Sequence, residues 1–173
     1  GHKMIYHIER ILAWQIGEHI APIQIDMGLT KFCNMGCIYC IGVTQGGMQK
    51  GQMIQPEVLL NFIGDCGRLG VKSVAFIGDG EPTLNPGLYD SIVLAKQVGV
   101  DTGMATNGIV LDLNRIHDVL RDSTFVRINL SAAEPNSFRR IHQVSSNKFL
   151  MLIEKMKEMV RIKKEYNYPC TIG

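Results

Sequence analysis

An α/β fold, with parallel strands curving into the wall of a barrel and helices outside it, is predicted for this chain of 173 residues by three observations. Short β-like runs alternate with helical stretches from residue 22 onward, which implies parallel pairing through right-handed crossovers. In two of the runs one face is apolar and the other polar, whereas a parallel sheet covered on both faces is apolar on both. Such a polar face suits a barrel interior that holds a polar ligand; the alternative is an exposed sheet edge. Finally, 46% apolar residues over this length are enough to bury one core.

Each element follows from its local pattern. Gly1-His2 is expected to be a tag remnant, and residues 4–20 place Ile5, Ile8, Ile11, Leu12 and Ile16 at helical spacing, so residues 1–21 read as a leading segment ahead of a core domain over residues 22–173. In the first strand, residues 23–30, Ile23, Ile25, Met27 and Leu29 share one face and Gln24, Asp26, Gly28 and Thr30 the other. Residues 42–51, "GVTQGGMQKG", are expected to form a mobile loop. The helix predicted over 56–69 carries Leu59, Leu60, Phe62 and Ile63, with Cys66 inside that apolar pattern. Strands over 73–77 and 102–106 alternate with helices over 86–98 and 111–121. The fourth strand, 125–131, sets Val126, Ile128 and Leu130 against Arg127, Asn129 and Ser131. Helices over 136–142 and 147–166 follow, the latter with Phe149, Leu152, Ile153, Met156 and Val160 as its packing stripe. A fifth strand begins at Cys170, where the chain is about to stop, and an open sheet edge there would tend to associate. His117 and His142 are expected on helix surfaces.

Composition narrows the function. The net charge of +2 comes from 18 basic and 16 acidic residues mixed along the chain, which gives no electrostatic footprint for nucleic acid or an anionic membrane. No apolar run approaches the roughly 18 to 20 residues of a membrane span, and the first residues lack the basic start, apolar middle and small-residue cleavage site expected of a secretion signal. A cytoplasmic location is therefore expected, where thiols stay reduced and clustered cysteines read as metal ligands or redox centres.

Three of the five cysteines, Cys33, Cys37 and Cys40, stand within eight residues in "CNMGCIYC". A closed structural zinc site wants four ligands, and a Cys37/Cys40 redox dithiol would leave Cys33 idle. An iron–sulfur cluster held by three thiolates keeps one position open for a reacting ligand, and Gly36 allows the loop a tight turn. After the second strand, "GDGEPTLNP" offers a glycine-rich backbone and the acid Glu81, able to present carbonyls and a carboxylate to an ammonium group. "TNG" at Thr106, Asn107 and Gly108 follows the third strand, and Asn129 and Ser131 end the fourth. In a parallel barrel all four segments emerge at one rim.

These motifs, with "ATNG" and "RINLSAAEPNSFRRIH", resemble the radical S-adenosylmethionine (radical SAM) enzymes, and within them the branch of molybdenum-cofactor, nitrogenase-cofactor and peptide-maturing enzymes. The resemblance runs from about residue 22 to the end. It implies a partial (β/α)6 barrel in which Cys33, Cys37 and Cys40 hold a 4Fe–4S cluster and S-adenosylmethionine chelates its open iron. One electron then breaks the sulfonium bond, and the 5′-deoxyadenosyl radical takes a hydrogen atom from a substrate. It further implies Tyr39 near the adenine, Gly80 and Glu81 at the methionine amino group, Asn107 in the site, Asn129 and Ser131 at the ribose or carboxylate, and Arg140, or else Arg139, paired with the carboxylate. An electron donor such as flavodoxin or ferredoxin and a peptide or small-molecule substrate are implied as partners. Two departures stand out: Asp79 replaces the first of the two glycines usual before the glutamate, and the family barrel has six strands where this chain ends at the fifth. A zinc-stabilised binding module and a non-catalytic iron–sulfur scaffold are the rival readings.

Overall fold

The computed structural model describes residues 3–44 and 52–173. Gly1-His2 and most of the glycine-rich stretch, residues 45–51, lie outside the described residues. A 3-10 turn at Lys3–His7 leads into α1 (Ile8–Gln15), followed by β1 (Gln24–Asp26), α2 (Ile41–Thr44), α3 (Pro56–Arg68), β2 (Ser73–Phe76), α4 (Leu88–Gln97), β3 (Asp101–Thr106), α5 (Ile116–Asp122), β4 (Ser123–Ile128), α6 (Pro135–His142), α7 (Asn147–Glu165) and β5 (Thr171–Ile172). The strands pair in the order β1-β2-β3-β4-β5, and every pair is parallel. Sequential order with right-handed crossovers puts every connecting helix on the same side of the sheet.

Burial follows that asymmetry. Val74, Phe76, Met104 and Val126 point toward the helices and are fully buried, together with Leu59, Ile63, Leu88, Ile92, Ile116, Leu120 and Leu152 from the helices themselves. On the other face Gln24, Asp26 and Arg127 are exposed. The alternation read from the first and fourth strands is thus the difference between a helix-covered face and a polar interior face.

Several elements differ from expectation for identifiable reasons. The leading helix is shorter than residues 4–20 because it opens as a 3-10 turn and stops before Gly17, which has φ +85°. It buries no residue; Arg10 ties it to the barrel by donating to the carbonyls of Ala21, Pro22 and Gly70. β1 stops at Asp26 because residues 29–31 exchange β2 for the returning segment 52–54: Ile54 N–H donates to Leu29 O, and Lys31 N–H to Gln52 O. β4 begins at Ser123, directly after α5, and ends before Ser131, whose φ of 42° is not that of a strand. On α7 the buried stripe is Phe149, Leu152, Met159 and Ile162, so Val160, expected to pack, is 37% exposed. Successive positions three and four apart drift around a 3.6-residue helix, and the contact follows the 152–159–162 line.

His142 is the main correction. It is fully buried rather than on a helix surface, because it lies four residues after Phe138 on the inner face of α6, with ring centroids 4.4 Å apart. His117 is half-buried, its ring set edge-on against Tyr166 and Tyr168 with Nδ1 3.0 Å from the Tyr168 hydroxyl.

Candidate functional site at the carboxyl rim of the sheet

Segment 31–40 leaves β1 as an irregular loop whose backbone groups are held from two sides. The end of α6 supplies acceptors: Gly36 N–H donates to His142 O at 3.1 Å, and Ile38 N–H to Ile141 O at 3.0 Å. From the other side Glu81 N–H donates to Phe32 O at 2.6 Å. Gly36 has an ordinary φ, so the tight-turn reading does not hold there; it is small because an added Cβ would stand 3.3 Å from the Gln143 Cβ. The loop is therefore fixed by the ends of β2 and α6, elements far apart in sequence.

The three thiols so positioned are all free, with Cys37 buried and Cys33 and Cys40 half-buried. Burial pushes the Cys33 and Cys37 thiols above the ordinary cysteine range. They line one wall of a cavity of about 510 Å³ whose other walls are Tyr39, Ile77, Gly78, Gly80, Glu81, Ala105, Thr106, Asn107, Arg127, Ile128 and Asn129. Such a volume is ordinary for a cofactor or small-molecule site.

Second contacts to the sulfurs come from outside the cysteine motif. His142 Nδ1 lies 3.0 Å from Cys37 Sγ, and its Nε2 lies 2.6 Å from Leu130 O. A carbonyl only accepts, so Nε2 carries a hydrogen toward Leu130 O, which fixes the ring with Nδ1 facing the Cys37 sulfur. Asn107 Nδ2 donates to Asn34 Oδ1 at 2.6 Å and approaches Cys33 Sγ at 3.7 Å. The Asn34 Nδ2, inside the cysteine loop, is buried with no partner among the described residues. His142 was expected on a helix surface and Asn34 was not singled out from sequence; the i to i+4 spacing of His142 from Phe138 was the available signal for the first, and Asn34 offered none beyond its place in the motif.

Glu81 is 2% exposed, and its carboxylate is already engaged. Oε1 accepts from the Thr83 N–H at 3.1 Å, the Thr83 hydroxyl at 2.6 Å and the Thr106 hydroxyl, while Oε2 accepts from Asn107 N–H at 2.7 Å. The side chain joins the turn after β2 to the turn after β3. Gly80, at φ +73°, allows this turn to press against the cysteine loop, since a Cβ there would overlap the carbonyl oxygens of Thr30 and Phe32.

Tyr39 is half-exposed, not a core aromatic. Its hydroxyl donates toward Asn129 Oδ1 at 3.1 Å and Ser131 Oγ at 3.0 Å, and Ser131 Oγ donates to Asn129 Oδ1 at 2.8 Å. Of the residues expected in the site, Cys33, Cys37, Cys40, Tyr39, Gly80, Glu81, Asn107 and Asn129 share the cavity, and Ser131 joins through Tyr39. Arg140 does not: like Arg139 it is exposed on α6 and lines no part of this cavity, because the inner face of that helix is taken by Phe138 and His142. The cation that does line it is Arg127.

The donor set fits an iron–sulfur cluster: three free thiols on one wall of a cavity, with an amide nitrogen beside them that lacks an acceptor among the described residues.

A parallel α/β barrel wall with thiols and polar turn groups gathered at its carboxyl rim defines a cofactor-binding domain. Residues 27–172 match the radical SAM superfamily, and the chain belongs to that superfamily, whose members use a 4Fe–4S cluster and S-adenosylmethionine. It is 30% identical over 117 residues to the "Probable GTP 3',8-cyclase" of Pyrococcus horikoshii, covering 68% of this chain and 36% of that protein. It is 27% identical over 117 residues to the "AdoMet-dependent heme synthase" of Methanosarcina barkeri, covering 68% and 33%. Among solved structures, Streptococcus suis SuiB bound to S-adenosylmethionine shares the fold with a TM-score of 0.67 at 13% identity, over 98% of this chain and 38% of that one; SuiB bound to its precursor peptide SuiA gives 0.69. The chain thus spans between a third and a half of the length of the curated relatives it matches.

Proposed function

We propose that this chain is the cluster- and S-adenosylmethionine-binding core of a radical SAM enzyme, with Cys33, Cys37 and Cys40 as the cluster ligands. The observation that carries the reading is the single cavity shared by the three thiols, Gly80, Asn107 and Asn129. When bound, the cluster supplies one electron that splits S-adenosylmethionine into methionine and a 5′-deoxyadenosyl radical able to take a hydrogen atom from a substrate. The chain's own residues hold and shield this chemistry. Gly80 presents backbone at the rim, and Glu81 positions that turn and the Asn107 turn rather than offering an open carboxylate. Tyr39, Asn129 and Ser131 form a polar triangle suited to hydroxyl groups of a nucleoside.

The reading implies a reductant, for which a flavodoxin or ferredoxin in the cytoplasm suits the free thiols, and no nucleic-acid or membrane partner; among the described residues no helix is long and apolar enough to cross a membrane. The names of the relatives suggest either a nucleoside triphosphate or a peptide as substrate. Anaerobic reconstitution tests the reading: about four iron and four sulfide atoms per chain are expected, lost in Cys37→Ala, with 5′-deoxyadenosine released on reduction in the presence of S-adenosylmethionine. Zinc in place of iron, or a cluster that never releases 5′-deoxyadenosine, would sink it in favour of a binding module or a scaffold.

A further inference from the structure

The interior face of the sheet holds a cation that none of the groups above uses. Arg127 stands on β4 opposite Ala105 of β3 and lines the same cavity as the three thiols. Its neighbours on that face fix its depth. Two residues toward the rim is Asn129, bonded to Tyr39 and Ser131. Two residues the other way is Phe125, whose ring lies across Gly103 so closely that a Cβ there would overlap it. Strand geometry puts Arg127 about 7 Å below Asn129. Along β4 the interior-facing positions therefore run from Phe125 through Arg127 to Asn129 at the rim. The small Ala105 beside Arg127 leaves the space over β3 open.

The guanidinium makes no ion pair or hydrogen bond with any described residue; Arg10, Arg68, Arg115, Arg121 and Arg161 are each held by carbonyl or carboxylate oxygens, and Arg139 and Arg140, also without a side-chain partner among the described residues, stand on the exposed face of α6 away from the cavity. A fork of donors fixed on a strand, facing a cavity and lacking a partner, matches a carboxylate or phosphate. We propose that Arg127 anchors an anionic group of the substrate, a phosphate or carboxylate, and so selects acidic substrates. The proposal rests on the radical SAM reading of the site. S-adenosylmethionine carries a carboxylate of its own, but the groups proposed to hold it, Gly80, Asn129 and Ser131, stand at the rim, and Arg127 lies one row deeper.

The test uses the full, anaerobically reconstituted chain loaded with S-adenosylmethionine, titrated calorimetrically with phenyl phosphate and benzoate, and with benzyl alcohol as the neutral probe. Phenyl phosphate or benzoate should bind at least tenfold more tightly than benzyl alcohol. Arg127→Ala should erase that preference, Arg127→Lys should keep part of it, and Lys164→Ala, on the exposed end of α7, should change nothing. S-adenosylmethionine affinity should differ less than twofold between the native chain and Arg127→Ala. A tenfold loss of that affinity would assign the guanidinium to S-adenosylmethionine instead. Anion binding that survives in Arg127→Ala, or falls equally in Lys164→Ala, would refute the anchor. If the native chain binds no S-adenosylmethionine, the reading of the site itself fails, a result distinct from both.

Discussion

Gly80 and Glu81 show how much of the rim depends on two adjacent residues. The carboxylate accepts four hydrogen bonds from Thr83, Thr106 and Asn107, and the glycine is the contact point with the cysteine loop. Gly80→Ala must either leave its φ of +73° or push back the Thr30 and Phe32 carbonyls, so it should cost about 2 kcal/mol or more in urea unfolding and lower cluster uptake together. Unchanged iron content would show that the loop does not lean on this turn. The motif itself was legible, since an acid held by a following proline stands out in any turn. What was not legible is where the carboxylate points. Its partners Thr106 and Asn107 lie 25 and 26 residues away, and only the β2–β3 register brings them near.

Among the elements, α5 illustrates how the outer layer is stitched together. Asp118 accepts from Arg115 at 2.8 Å and from Arg121 at 2.9 Å, and Arg115 reaches Asp90 on α4 at 2.7 Å. Burial opposes ionisation of Asp118, but the two guanidinium hydrogen bonds prevail and hold its carboxyl below the usual range. A depressed folded-state pKa contributes stability above the unfolded value of about 3.9, and that contribution fades as pH falls through the folded value. Asp118→Asn should therefore lower stability by about 0.5 to 1 kcal/mol at pH 7, and the deficit should shrink toward pH 3 in chemical denaturation. A deficit independent of pH would assign it to packing. The helix itself was expected over residues 111–121, yet its first turns are a 3-10 segment at Leu113–Arg115, started by Asp112 accepting from Asn114 N–H. An aspartate that caps a turn and one that continues a helix look alike in sequence.

For the whole molecule, the thiols tie the cluster to folding. A group that binds only the folded chain stabilises it by mass action, about 2.7 kcal/mol at a hundredfold excess over its dissociation constant. For a chain of 173 residues that corresponds to a rise in Tm of roughly 5 to 10 °C on reconstitution, absent in Cys37→Ala and reversed by chelation. Equal Tm values with and without cluster would mean that the loop is held by β2 and α6 alone. The backbone groups of Gly36, Ile38 and Phe32 are held by α6 and by the turn after β2, so part of the loop's order comes from the fold.

The sequence by itself determined the alternation of strands and helices, the apolar and polar faces of β1 and β4, and the clustering of three cysteines, because these are set by periodicity and spacing within a few residues. The tertiary structure decided the rest of the site. It placed His142 on Cys37 across 105 residues, turned Glu81 inward to a neighbouring turn, left Arg140 in solvent and put Arg127 in the cavity. The physical reason is rotation and register. A helix or strand pattern says which residues share a face, but the partner that face meets is chosen only when sheet pairing and helix packing bring distant segments into contact.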